Sequence, residues 1–333
     1  MTAHTPIAAT ATAPAAAISG WRLHLTGLAA AAVAMLALFH RDVVDIVDLW
    51  WNSSTYNHCL LILPIVAWLV TQRLPELRGL TPAAWAPGLL LVAAGAGGWL
   101  LGEAGGVGLA RHGGIVLMLQ GAVIACLGKA VSRGLAFPIF YALFLIPAGE
   151  ELVPPMQTLT ADMCMALLAL VGVPAHIEGI FITTPSGYFE VAEACSGVKF
   201  LVAMIAYGAL VANVCFKSAW RRAAFMLAAI VIPILANGVR AWGTIYIAEY
   251  TGTDFAAGFD HVVYGWVFFA IVIALLMAAG WRFFDHKPND PWFDPAALQA
   301  EGEPAGPANR LVIVALAAAF TAALPLGWSA AVA

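Results

Sequence analysis

The fold class expected from the sequence is an all-α polytopic membrane protein. It should have about eight transmembrane helices, one re-entrant or interfacial helix and a small β-hairpin on the outer face. Three observations predict this. Of 333 residues, 62% are hydrophobic and only 10% are charged, against about 25% charged in a soluble domain. Several long runs are nearly free of charge, as a bilayer-spanning helix requires. Twelve Trp, many near the ends of those runs, suit interfacial anchoring.

The elements follow in order. Residues 1–20 are rich in Ala, Thr and Pro, without periodicity, and read as a disordered tail. The apolar run from Arg22 to Phe39 is followed by Arg41, Asp42, Asp45 and Asp48 rather than by a small-residue cleavage site. It therefore reads as an uncleaved first helix. Further apolar runs lie near Asn57–Gln72, Pro87–Leu101, Gly113–Leu127 and Gly134–Pro147. Met156–Val171 is short, holds Gln157, Thr160 and Asp162, and is flanked by Pro154-Pro155 and Pro174. These features predict the interfacial or re-entrant helix.

His176–Ala194 reads as a β-hairpin, IEGIFITT and YFEVAEA joined by Pro185-Ser186-Gly187. Apolar runs resume at Ser196–Phe216, Ala219–Ala236, Val262–Trp281 and Leu311–Leu326, with a kink expected at Pro233. Asp285–Asn309 reads as a linker. The chain thus divides into a tail (1–20), a membrane domain (21–284), a cytoplasmic linker (285–309) and a C-terminal helix (310–333).

Cytoplasmic loops are enriched in Lys and Arg. With the N-terminus inside, 11 of 15 basic residues fall at inner ends: Arg22, Arg73, Arg78, Lys129, Arg133, Lys217, Arg221, Arg222, Arg282, Lys287 and Arg310. Arg41, Arg111, Lys199 and Arg240 fall outside. A full span at Met156–Val171 would split this pattern, so the charges favour the partial helix.

In that topology Cys195 starts a helix running inward from the outer face. Arg240, in NGVRAWG, sits just past the outer end of the next helix. His261, in DHVVYG, starts the helix after that. A thiol at a helix N-terminus, beside an imidazole, is activated as a nucleophile. Histidine can take the thiol proton and return it to a leaving amine. Arginine, always charged, can hold a carboxylate or stabilise an oxyanion. Together they are the parts of an acyl-transfer site. His58, His112 and His176 also map outside, and spacing alone does not choose among the four. Glu193, Ser196, Asn237, His58 and Glu150 rank as supporting or substrate-binding candidates. Cys59, Cys126, Cys164 and Cys215 lie in apolar context and read as packing residues.

Several classes are disfavoured. There is no basic cluster with interleaved aromatics, so nucleic acid is not an expected partner. Five Cys without CxxC spacing give neither a disulfide framework nor a zinc site, and no metal or cofactor is expected. Ser196 lacks a GxSxG context. The alternative reading, a membrane transporter or exopolysaccharide-export component without peptide cleavage, would want charges along a mid-membrane path, whereas the polar groups here cluster at one face. A thiol redox protein would want a resolving cysteine, for which Cys59 is the outer candidate.

The motifs EACSGVKFL, NGVR and HVVYG, in that order, resemble the exosortase/archaeosortase family and specifically bacterial exosortases. STYNHCLLILPI and IPAGEELVPPMQTLTADM, running on through VGVPAHIEG, resemble the type linked to exopolysaccharide loci. The resemblance covers about Trp50 to Phe284. It implies an inner-membrane cysteine enzyme acting at the periplasmic face. Its partners would be the lipid bilayer and proteins with a C-terminal PEP-CTERM signal: a Pro-Glu-Pro motif, a transmembrane helix and a basic tail. It also implies Cys195, Arg240 and His261 as the catalytic set, which settles the choice of histidine. Oligomeric state stays open.

Overall fold

A computed structural model of the chain describes residues 13–252, 261–287, 289–304 and 306–332. The helices are α1 Ala13–Leu38, α2 His40–Asn52, α3 Cys59–Thr71, α4 Leu74–Leu77, α5 Gly88–Gly105, α6 Gly108–Gly134, α7 Ala136–Tyr141 and α8 Val153–Leu170. After three strands come α9 Val198–Cys215, α10 Ala219–Thr251, α11 His261–Trp281, α12 Pro295–Ala300 and α13 Ala308–Val332. Among the described residues, six helices are long and apolar enough to cross a membrane, and a broken pair, Ala136–Leu145 with Glu150–Leu170, makes a seventh if it is one span. The protein is an all-α polytopic membrane protein with one small sheet.

Five expectations need correction. The run at Asn57–Gln72 forms only the 13-residue α3, shorter than the helices able to cross a membrane. Gly134–Pro147 is not a span of its own: it holds α7 and a four-residue 3-10 turn, Ala142–Leu145. Ten residues at about 1.5 Å each reach only half of a bilayer core. The helix expected at Met156–Val171 is α8, which runs for 18 residues from Val153 with Pro154 and Pro155 in its first turn, where their missing N–H groups do no harm. The helix expected to end at Ala236 continues through Pro233 to Thr251. The expected hairpin is a three-stranded meander, β1 His176–Glu178, β2 Phe181–Thr184 and β3 Gly187–Glu190. The extra turn falls at Gly179, whose φ of 62° suits glycine.

The chain forms two compact units. One comprises Met1–Asp48, Leu61–Ile146 and Pro291–Ala333, the other Leu49–Leu60 and Pro147–Asp290. The first is built on the α5–α6 hairpin. Gly88, Gly95 and Gly102 recur on α5 and face Ala125, Gly114 and Arg111 of α6. A Cβ on Gly95 would lie 2.6 Å from the Gly114 carbonyl oxygen, and one on Gly114 would lie 2.6 Å from that of Gly95. Small residues let membrane helices approach to backbone contact. α13 packs on α1, α5 and α6. Away from these contacts large apolar side chains point outward, Leu90 and Leu101 each 74% exposed, as lipid-facing positions must.

The second unit centres on α10, which packs against α8, α9 and α11. Its lower core joins Met204, Val211, Phe216, Phe225, Ala229 and Leu276. A second cluster seats the sheet: Ile182 and Val191 pack with Ala161, Cys164 and Leu168 of α8 and Ile245 of α10. Glu249 of α10 accepts hydrogen bonds from the hydroxyls of Thr184 and Ser186, the latter at 2.6 Å, tying the β2–β3 turn to the helix.

Candidate functional site

The catalytic and supporting candidates lie in the second unit, whereas His112, a rival histidine, is buried in α6 of the first. Cys195 closes a 3-10 turn, Glu193–Cys195, rather than opening the helix itself. Gly197 follows with φ 83° and caps α9. Ser196, 1% exposed, holds this turn. Its hydroxyl donates to the Glu193 carbonyl at 2.7 Å and accepts from the Val198 N–H at 3.3 Å. The local geometry therefore comes from a Ser-Gly pair suited to leaving one helical turn and starting another. Cys195 itself is half-buried and packs beside the Cys164 cluster.

Asn237 connects this turn to the rest of the site. Its Nδ2 donates to the Cys195 carbonyl at 2.9 Å and to the Thr160 hydroxyl at 3.2 Å. Its Oδ1 accepts from Arg240 at 3.1 Å. Asn237 and Arg240 are three apart on α10, hence on one face, and are 2% and 3% exposed. Thr160 lies within 3.5 Å of the Ser196 carbonyl oxygen, and Gln157 donates to the Val191 carbonyl at 2.7 Å. Buried polar groups need such partners, because an unsatisfied one costs about 1–3 kcal/mol. The Arg240 guanidinium also lies 5.8 Å from the Phe200 ring centroid. The void beside Arg240 and Asn237 is only about 10 Å³.

Arg240 therefore lies inside α10, not past its end as expected. His261 opens α11, but its side chain lies outside the described residues, as do residues 253–260. One turn further along α11, Gly265 runs beside the arginine: a Cβ there would lie 3.8 Å from an Arg240 terminal nitrogen. Of the supporting candidates, Ser196 and Asn237 belong to the hydrogen-bonded set. Glu193 contributes its backbone carbonyl, while the residue itself is exposed.

Glu150 falls beside Tyr56, and His58 beside Cys59. Burial, reinforced by the Glu150 and Glu151 charges, pushes the Tyr56 hydroxyl up to about 12. His58 Nδ1 faces the Thr55 carbonyl at 3.0 Å, and its Nε2 lies 3.8 Å from the Cys59 sulfur. His176 is exposed beside Glu178. The described cysteines are all free, and the thiol packed near Cys195 is Cys164 rather than Cys59.

Gln157, Thr160 and Lys199 join the site only through the structure. The first two are visible, with Thr158 and Asp162, as polar residues in a largely apolar helix. An apolar cavity of about 650 Å³ in the first unit, with Trp21, Val66, Gln120 and Ile139 among its walls, is lined by none of the candidate residues.

One consequence is a pH dependence. Burial holds the His58 imidazole below its ordinary value, so the unfolded chain binds its proton more readily than the folded one. Its contribution to stability is complete above about pH 6.5 and is lost as the pH falls through the lower folded value. Thermal unfolding in detergent should show a smaller drop between pH 7.5 and 5 for His58→Gln than for wild type. Equal drops would contradict this.

The fold and this cluster define a polytopic membrane protein with a thiol at the polar mouth of an apolar helix. A family model described as transmembrane exosortase matches residues 50–278, well over half of the chain. The chain belongs to the transmembrane exosortase family. A search of the curated proteins and a search of the solved structures return no match.

Proposed function

We propose that the protein is a cysteine endopeptidase or transpeptidase that processes C-terminal PEP-CTERM signals at the periplasmic face of the inner membrane. The observation that carries the reading is the Asn237 bridge between the Cys195 turn and Arg240, within a chain of the exosortase family. The substrate's apolar helix packs beside α9 and presents its Pro-Glu-Pro segment at the outer surface. His261 takes the Cys195 proton as the sulfur attacks the scissile carbonyl carbon. Arg240 stabilises the oxyanion or orients the peptide. Collapse of the tetrahedral intermediate breaks the C–N bond, and His261 returns the proton to the departing amine. Water or an acceptor amine then attacks the thioester and releases the thiol. The edge of the sheet offers strand pairing to the extended peptide.

The test is a co-expressed exported reporter carrying a C-terminal PEP-CTERM segment, followed by mass. The expected result is shortening at the motif in cells with the protein, and none when Pro-Glu-Pro is deleted. Shortening that ignores the motif would overturn the substrate assignment.

A further inference from the structure

Lys199 stands in the first turn of α9, four residues after Cys195. Its ammonium lies 5.3 Å from the centroid of the Phe200 ring, the ring that Arg240 approaches to 5.8 Å. Phe200 is fixed by stacking on Phe269, with 4.6 Å between centroids. An aromatic face attracts a cation, but two cations beside one ring repel each other. Lys199 and Arg240 thus both approach the one Phe200 ring, four residues and more along the chain from Cys195. A lysine at a helix end ordinarily extends its head into the interface; this one is held at the mouth of the site beside a second cation. An arriving anion turns that repulsion into a favourable arrangement. Arg240 is 3% exposed and holds Asn237, with a void of about 10 Å³ beside it, too small for a peptide side chain. Lys199 is half-buried and, of the two, is the cation more open to an incoming side chain.

We infer that Lys199 is the specificity-determining residue of this site, its ammonium pairing with the carboxylate of an acidic side chain in the bound peptide. The inference rests on the proposed peptide processing. It adds that the glutamate of the Pro-Glu-Pro segment is read as a charge, by a residue other than the three assigned to the chemistry.

The experiment measures peptide binding to the Cys195→Ala protein in nanodiscs, so that no cleavage is involved. The probes are peptides containing Pro-Glu-Pro or Pro-Gln-Pro ahead of an apolar helix. The Glu peptide should bind at least about tenfold more tightly, as a charge-assisted contact implies. Adding Lys199→Met should erase that preference, while adding Lys199→Arg should keep it. The arginine variant also separates loss of contact from misfolding. No Glu preference in the starting protein, or a preference that survives Lys199→Met, would overturn the inference. Cleavage is scored separately with Cys195 intact. A Lys199-dependent preference without cleavage would overturn the processing reading alone, and Cys195-dependent cleavage with a preference indifferent to Lys199 would overturn this inference alone.

Discussion

Cys195→Ser should process the PEP-CTERM reporter at least about a thousandfold more slowly than wild type, and Cys195→Ala should not process it at all. The chemistry sets the direction. A thiol reaches its anionic form near neutral pH, whereas a hydroxyl in the same place depends wholly on its base. The structure explains why the variants should still fold. A polar bond that anchors this turn to α10 goes through the Cys195 backbone carbonyl, which the substitutions keep. The side chain is half-buried at the edge of its cluster, so removing one sulfur leaves a small defect rather than an interior cavity. Membrane insertion and thermal unfolding in detergent should match wild type closely. Processing by Cys195→Ala at the wild-type rate would remove the thiol from the mechanism.

Gly197→Ala should cost both stability and activity. The backbone at Gly197 has φ 83°, where an L side chain costs roughly 1–2 kcal/mol. The added Cβ would also sit 2.6 Å from Asn237 Cγ and 2.8 Å from its Nδ2. Asn237 would have to move, and its bonds to Cys195, Thr160 and Arg240 would go with it. Each buried group left unpaired costs about 1–3 kcal/mol. The melting temperature should fall by several degrees, and processing should fall by about tenfold or more, since displacement near a reacting group is costly. A wild-type melt for Gly197→Ala would contradict the geometry on which the site is built.

Much of this was legible in the sequence because it is written in composition and order. Uncharged runs mark membrane helices whatever their partners. Cys195-Ser196-Gly197, Asn237 and Arg240 stood out as polar residues at the ends of apolar runs. The resemblance drawn from Trp50 to about Phe284 nearly coincides with the family match to residues 50–278.

What was missed depends on tertiary contacts. Asn237-Gly238 after Pro233 reads locally as the end of a helix. Instead α10 continues, because Gly238 lets the Met163 side chain of α8 close onto it and Asn237 finds partners on other segments. Thr160 and Gln157 read as marks of an interfacial helix; their polarity serves buried carbonyls and Asn237. Lys199 reads as an ordinary helix-end lysine until Phe200 and Arg240 are seen beside it. The α5–α6 glycines were plain in the sequence, but a seven-residue recurrence gains meaning only when two helices are known to face each other.

Capture of the acyl-enzyme tests whether the Cys195 thiol carries the reaction. Purified protein in nanodiscs would be mixed with a PEP-CTERM peptide, quenched in acid and examined by intact mass and peptide mapping. The expected result is a covalent adduct carrying the N-terminal part of the substrate, mapped to Cys195, released by hydroxylamine and absent from Cys195→Ala. Continued processing with an adduct on another residue, or an adduct that persists in Cys195→Ala, would contradict it.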